Sequence, residues 1–278
     1  MRPNRDRPVL WANKNHSTME KAIKEVVKEK YTEVVQSSQS CCGPSCCSPG
    51  GIDFSEGYDK LEGYSKEADL GLGCGLPTEY ARIREGHTVL DLGSGAGNDV
   101  FVARSLAGES GRVIGLDMTE AMVAQARINN RKLGYKNVEF ILGDIEDMPL
   151  EGNSIDVAIS NCVMNLVPDK DKAYAEVYRV LRPGGHFSIS DIVLQGELPP
   201  ALQEAAVLYA GCVAGALQKA DYLKAIERAG FANIRIDKER ELNLPDEQLL
   251  EFLSPDELKA FRNGGTGIFS INVYGEKG

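Results

Sequence analysis

The chain is short of positive charge: 31 Lys and Arg stand against 41 Asp and Glu, a net charge of −10 over 278 residues. Nucleic acid and anionic membrane surfaces both select a basic face, so neither is expected as a main partner. No apolar run approaches the ~20 residues that a membrane-spanning helix needs. The start, Met1-Arg2-Pro3-Asn4-Arg5-Asp6-Arg7, is basic but carries no apolar h-region, so no secretory signal is expected and a reducing, cytoplasmic setting follows. Histidine is scarce, with His16, His87 and His186 at element edges or in a strand, and all three read as structural. Paired C-x-x-C units with an intervening loop are missing, which argues against zinc. Internal repeats and long low-complexity segments are missing as well.

Cysteine is present in an odd number, seven. Four crowd one run, Cys41-Cys42-Gly43-Pro44-Ser45-Cys46-Cys47, while Cys74, Cys162 and Cys212 are widely spaced beside Gly-rich or loop-like segments. In a non-secreted chain this pattern favours reactive or ligand thiols, free at rest, over a disulfide framework. A lone cysteine in an apolar stretch is also readily a small buried hydrophobe. The clustered run admits a metal-binding arm, a redox relay or a disordered tail.

The pattern along the chain is α/β. Apolar residues at Met19, Ala22, Ile23, Val26, Val27, Tyr31 and Val34 predict an amphipathic helix over 17–35, opened by Ser17-Thr18-Met19-Glu20 as a capping box. From 88 onward strands are expected at 88–92, 112–117, 138–142, 155–160 and 186–193. Helices are expected between them, and Arg182-Pro183-Gly184-Gly185 stops the last of these. Such alternation predicts a doubly wound, mainly parallel sheet. Beyond it, 199–217 and 221–229 read as helices, 234–236 and 269–274 as strands, and the acidic stretch 245–261 as helical.

The segment Asp91-Leu92-Gly93-Ser94-Gly95-Ala96-Gly97 joins a strand to a helix, where glycines permit a sharp turn and close approach of a ligand. Asp117 and Asp144 end the next two strands, placed to accept ribose hydroxyls and to reach an adenine edge. A dinucleotide site needs G-x-G-x-x-G to seat pyrophosphate. The G-x-G-x-G found here, preceded by Asp91, instead resembles motif I of the class I S-adenosylmethionine-dependent methyltransferases.

A finer resemblance rests on separated motifs: Gly73-Cys74-Gly75-Leu76-Pro77, the glycine loop, Ser160-Asn161-Cys162-Val163 with Asn165-Leu166, and Ala210-Gly211-Cys212. Together, over 57–278, they resemble the arsenite methyltransferases. The resemblance implies a seven-stranded sheet ending in a reversed hairpin. It also implies S-adenosylmethionine as methyl donor, held by Asp91, Gly93, Ser94, Gly95, Gly97, Asp117, Met118, Asp144, Ile145 and Asn161. It makes Cys74, Cys162 and Cys212 the ligands of As(III), a thiophilic centre suited to soft thiolates. An N-terminal cysteine serves redox turnover in that family, and Cys46 or Cys47 is nearest Cys74 in sequence. Arsenite and methylarsenite are then the substrates, with thioredoxin or glutathione as thiol reductant. Many eukaryotic members carry an aromatic pair before Gly-Cys-Gly, whereas this chain has Leu70-Gly71-Leu72.

The expected division is 1–56 for an N-terminal helix and Cys-rich arm, 57–195 for the cofactor-binding core, and 196–278 for an α+β acceptor lid with the terminal strands. Two other readings stay open: a methyltransferase for a quinone- or sterol-like acceptor, and a non-catalytic metalloid-binding protein.

Overall fold

A computed structural model describes residues 9–36, 57–202 and 215–278. The cysteine run 41–47, Cys212 and most of the helix expected over 199–217 lie outside the described residues.

Seven strands form one sheet: β1 (Thr88–Leu92), β2 (Arg112–Asp117), β3 (Val138–Leu142), β4 (Ile155–Asn161), β5 (Leu181–Gln195), β6 (Ala232–Glu241) and β7 (Gly267–Glu276). Their order is β3-β2-β1-β4-β5-β7-β6. The pairings among β1 to β5 are parallel, and β7 runs antiparallel to both β5 and β6. The doubly wound sheet and the reversed terminal hairpin expected from the sequence are both present.

Parallel strands covered on both faces read as near-continuous apolar runs. Alternate side chains then separate to opposite faces. Leu90, Ile114 and Ala158 join a core under the helices Lys170–Val180 and Lys219–Arg228, called α5 and α6. Val89, Val113, Val157 and Ile159 join another under Asn98–Ala107 and Glu120–Leu133, called α3 and α4. Also described are α1 (Val9–Gln36), the short α2 (Pro77–Tyr80), α7 (Asp246–Leu249) and α8 (Pro255–Asn263), with a 3-10 turn at Met164–Leu166 and helical residues at 200–202.

Four expectations need correction. Helix α1 begins at Val9, eight residues before the expected capping box, because no Gly or Pro interrupts 9–36. Its expected apolar face is only partly used: Lys24, Val27 and Tyr31 face a cleft, while Ile23 and Val26 are exposed. Strand β5 takes in Arg182-Pro183-Gly184-Gly185 as a bulge, since Ile155 pairs with Leu181 and the next pair is Val157 with His186. At the end of the helix expected over 199–217, residues 215–218 are not helical, and Gln218 bridges to Leu194.

Candidate active site

The strand ends, the glycine loop and α1 enclose a cleft of about 1070 Å³, its open mouth included. Of the cofactor residues expected, Asp91, Gly93, Ser94, Gly95, Asp117, Met118, Asp144, Ile145 and Asn161 line it. Gly97 does not. It opens α3 with φ +102°, where a Cβ would fall 2.9 Å from Phe140 and 3.0 Å from Phe101. Its role is to let helix and strand pack closely.

The acids differ in their surroundings. Asp117 accepts the Gly95 N–H (2.9 Å) and the Thr119 N–H (2.8 Å), so its carboxylate also shapes the loop. Burial pushes its pKa up while those donors oppose the shift. Asp91 is fully buried, and burial with the nearby charges of Asp99 and Asp117 raises it well above the carboxylate range. Burial likewise lifts Asp99 to about 6, against hydrogen bonds from Asn161 and Tyr58. Asp144 is raised by burial, but the ammonium of Lys24 and the Glu146 N–H overcome this and leave it lowered.

The cleft fits a cationic nucleoside. Asp91 and Asp99 form an acidic end, and the basic lining residue, Lys24, is paired with Asp144 and Glu146. Ser94 Oγ and Asn98 Oδ1, both in residues of the wall, are buried without a hydrogen-bond partner. Unpaired buried polar atoms of this kind are costly unless a ligand satisfies them. Leu70 and Leu72, standing where many relatives are aromatic, form part of the apolar wall.

Cys162 follows β4 at the cleft wall with φ +60°, a left-handed conformation that non-glycine residues rarely adopt. Its N–H donates to the Ser190 carbonyl at 2.8 Å. Cys74 lies opposite, and the structure joins the two in a disulfide with Cα atoms 5.8 Å apart. The expectation that both thiols are free is thus corrected. Residues 88 apart in sequence meet because β4 and the loop before α2 reach the same sheet edge. The neighbouring glycines have a steric reason: a Cβ on Gly73 would lie 2.6 Å from Asn161 Nδ2, and one on Gly75 would lie 2.7 Å from Ser190 Oγ. Both sulfurs are buried in an apolar cluster with Ile192, Leu198, Leu242 and Ile268.

Asp191 on β5 is a residue that sequence reading missed. Its carboxylate and the two cysteine sulfurs all lie within 4.8 Å of one another. Burial raises Asp191 to about 7, opposed by the Ile192 N–H, Lys170 and the Tyr222 hydroxyl. The available signal was a run of polar residues, Ser188, Ser190 and Asp191, inside an otherwise apolar central strand. Tyr58, Lys24, Val27 and Tyr31 also line the cleft unforeseen. Of the three histidines, His186 meets the Ala81 carbonyl at 2.6 Å and stacks on Tyr274, contacts that fit a structural role, whereas His16 falls within α1 and not at an element edge.

A reversed-hairpin sheet with a glycine loop, acids at successive strand ends and a cleft for a cationic nucleoside defines a class I S-adenosylmethionine-dependent methyltransferase. A family model described as a methyltransferase domain matches residues 83–230. An arsenite methyltransferase of Halobacterium salinarum is 39% identical over 268 residues, 91% of this chain and 66% of that protein. One of Aquipseudomonas alcaligenes is 35% identical over 236 residues, 82% of this chain and 68% of the relative. The crystal structure of an arsenic(III) S-adenosylmethionine methyltransferase from Chlamydomonas reinhardtii superposes with TM-score 0.61 at 39% identity, covering 73% of this chain and 66% of that one. The chain belongs to the arsenite methyltransferase family and uses S-adenosylmethionine as methyl donor. It spans about two thirds of the length of these relatives. Among the described residues no helix is long and apolar enough to cross a membrane.

Proposed function

We propose that the protein methylates arsenite and methylarsenite held as thiolates of Cys74, Cys162 and Cys212. The observation that carries this reading is the meeting of Cys74 and Cys162 at the wall of the methyl-donor cleft. Gly215, three residues after Cys212, packs on the Asn165 carbonyl, and Asn165 lies three residues after Cys162, which supports convergence of the third cysteine.

S-adenosylmethionine supplies an electrophilic methyl group on a positively charged sulfur. Asp99, with Asp91 beside it, would take its amino end, Asp117 would accept from its hydroxyls beside the glycine loop, and Ile145 and Leu72 would contribute apolar wall. Three thiolates bind As(III) through sulfur and leave its lone pair free as nucleophile. The protein contributes alignment of the two reacting centres and exclusion of water. The apolar cluster around the cysteines serves that exclusion.

Methylation takes arsenic from the trivalent to the pentavalent state. Two thiolates can return the two electrons and close as a disulfide. The Cys74–Cys162 bond has the form of such an oxidised product. Thioredoxin or glutathione would reopen it by exchange, with Cys46 or Cys47 as an intermediate thiol. Such turnover suits a reducing, cytoplasmic setting, with 1–56 as an N-terminal helix that also lines the cleft and a Cys-rich arm, 57–195 as the donor-binding core and 196–278 as the acceptor lid with the terminal strands.

The test is incubation of reduced protein with arsenite and S-adenosylmethionine, with arsenic species separated by chromatography and measured by mass spectrometry. Methylated arsenic is the expected product. Tight arsenite binding without product would identify a sequestering protein instead.

A further inference from the structure

Asp99, the second acid of the donor cleft, lies in a hydrogen-bond network that ends at a cysteine. The Tyr58 hydroxyl is 3.0 and 2.9 Å from the two Asp99 oxygens and 3.2 Å from the Gly75 carbonyl. The Asn161 side chain completes the network. The two hydrogens of its Nδ2 are shared among the Gly75 carbonyl (2.8 Å), Asp99 Oδ2 (3.2 Å) and the Tyr58 hydroxyl, and its Oδ1 accepts the Cys74 N–H at 3.0 Å. Ser270 Oγ donates to the Cys74 carbonyl at 2.7 Å. The Cys74 N–H and the Gly75 carbonyl are therefore held by a partner that also touches Asp99, while Ser270 holds the carbonyl of Cys74 itself.

We infer that Tyr58 is a positioning residue that couples the donor cleft to Cys74, so that filling the cleft tightens the arsenic site. The inference rests on the reading of Cys74 as an arsenic ligand. Tyr58 is 5% exposed, and its ring packs with Leu76, Val102, Leu61 and Tyr64 in a small cluster of its own. That burial keeps the phenol protonated and so a donor. A cation at the Asp91–Asp99 end favours the ionised Asp99 carboxylate, which accepts more strongly from Tyr58 and Asn161. With its single O–H turned to Asp99, the Tyr58 hydroxyl accepts from Asn161, and Asn161 in turn holds the Gly75 carbonyl and the Cys74 N–H, so the loop stiffens where the thiol is presented. The same geometry gives Tyr58 a function that ring packing alone does not need, since phenylalanine would satisfy the cluster.

Linkage requires the coupling to be reciprocal. Arsenite binding to the reduced full-length protein is measured by calorimetry with and without S-adenosylhomocysteine, which carries the same amino group but transfers no methyl. In the parent, the homocysteine derivative is expected to tighten arsenite binding about tenfold, within the usual range of coupling energies. In Tyr58→Phe this factor falls below about twofold. Asn161→Ser, which cuts the same network from its other member, reproduces the loss. Hydrogen exchange gives a second readout: amides at 73–76 slow on ligand binding in the parent and not in Tyr58→Phe. Full coupling in Tyr58→Phe, or none in the parent, overturns the inference alone. A reduced parent that fails to bind arsenite overturns the functional reading with it.

Discussion

The Lys24 ammonium lies 2.6 Å from the carboxylates of both Asp144 and Glu146, joining helix α1 to the loop after β3 at the wall of the donor cleft. Glu146 also accepts the Asp169 N–H at 2.9 Å, so one acid ties α1 to the start of α5. Lys24, Val27 and Tyr31 occur at helical spacing on one face, and all three line the cleft. Lys24→Met is expected to raise the dissociation constant for S-adenosylmethionine roughly tenfold, the effect of about 1.4 kcal/mol for a partly buried ion pair. Stopped-flow displacement should place the change in the off-rate. An unchanged off-rate would show that α1 does not close the cleft.

Reduction of the Cys74–Cys162 bond is expected to create the arsenite site and to cost stability. Opening a crosslink over a long loop typically costs about 2–4 kcal/mol. For a chain of this size that lowers Tm by roughly 5–15 °C. Peptide mapping after alkylation should find both residues labelled only after reduction, and arsenite should protect them. Cys162→Ser should abolish methylation of arsenite and methylarsenite, whereas Cys74→Ser should hurt the first methylation more. Activity of Cys162→Ser equal to the parent would remove its ligand role.

Gly73→Ala places a methyl group 2.6 Å from Asn161 Nδ2. Overpacking of this kind costs about 1–3 kcal/mol. The backbone it displaces carries Cys74 and the side chain it strikes lines the cleft, so arsenite and donor affinity should both fall severalfold. Loss of donor affinity alone would contradict that placement.

Asp99 gives a pH dependence whose sign is set by its raised pKa. Its ordinary pKa is ~3.9, so the ligand-free fold gains from the protonated form. That gain is fully present below about pH 4 and is lost as pH rises through about 6. Binding a cation reverses the preference, so donor affinity should fall as pH drops through about 6, with uptake of about one proton on release. Calorimetry in buffers of different ionisation enthalpy measures that proton. Asp99→Asn should flatten the profile, and a profile equally steep in that variant would assign the titration to another group.

Asp117→Ala should weaken S-adenosylmethionine binding without altering arsenite affinity in the ligand-free protein. The carboxylate holds the Gly95 and Thr119 amides, so part of the loss comes from a loosened glycine loop. Asp117→Asn, which keeps a side-chain acceptor, should recover part of it. Equal donor affinity in the parent and Asp117→Ala would exclude the ribose role.

The parts legible from sequence were those written in local periodicity. Val89, Leu90 and Leu92 announce a strand covered on both faces, and Gly134 in a left-handed conformation closes α4 where the pattern ends. Asp91, Asp117 and Asp144 could be placed because each ends a strand in one parallel set. Contacts between distant segments left no such trace. Lys24 and Asp144 are 120 residues apart, and nothing in either neighbourhood marks them as partners. Tyr58 carries no local mark either; its hydroxyl finds Asp99 and Gly75 only through the fold. The start of α1 was misplaced because Ser17 and Glu20 satisfy a capping pattern that the continuing helix does not use. The bulge in β5 was missed because Pro183-Gly184-Gly185 has the composition of a chain break, although Gly184 and Gly185 hydrogen-bond the backbone of Lys277.

Strand β7, last of the seven in chain order, is inserted between β5 and β6 rather than added at an edge. From there Ser270 reaches back across 196 residues to the Cys74 carbonyl. On the ribosome, everything through β6 emerges while that place in the sheet is still open. The cysteine loop consequently lacks its final support until β7 has left the exit tunnel.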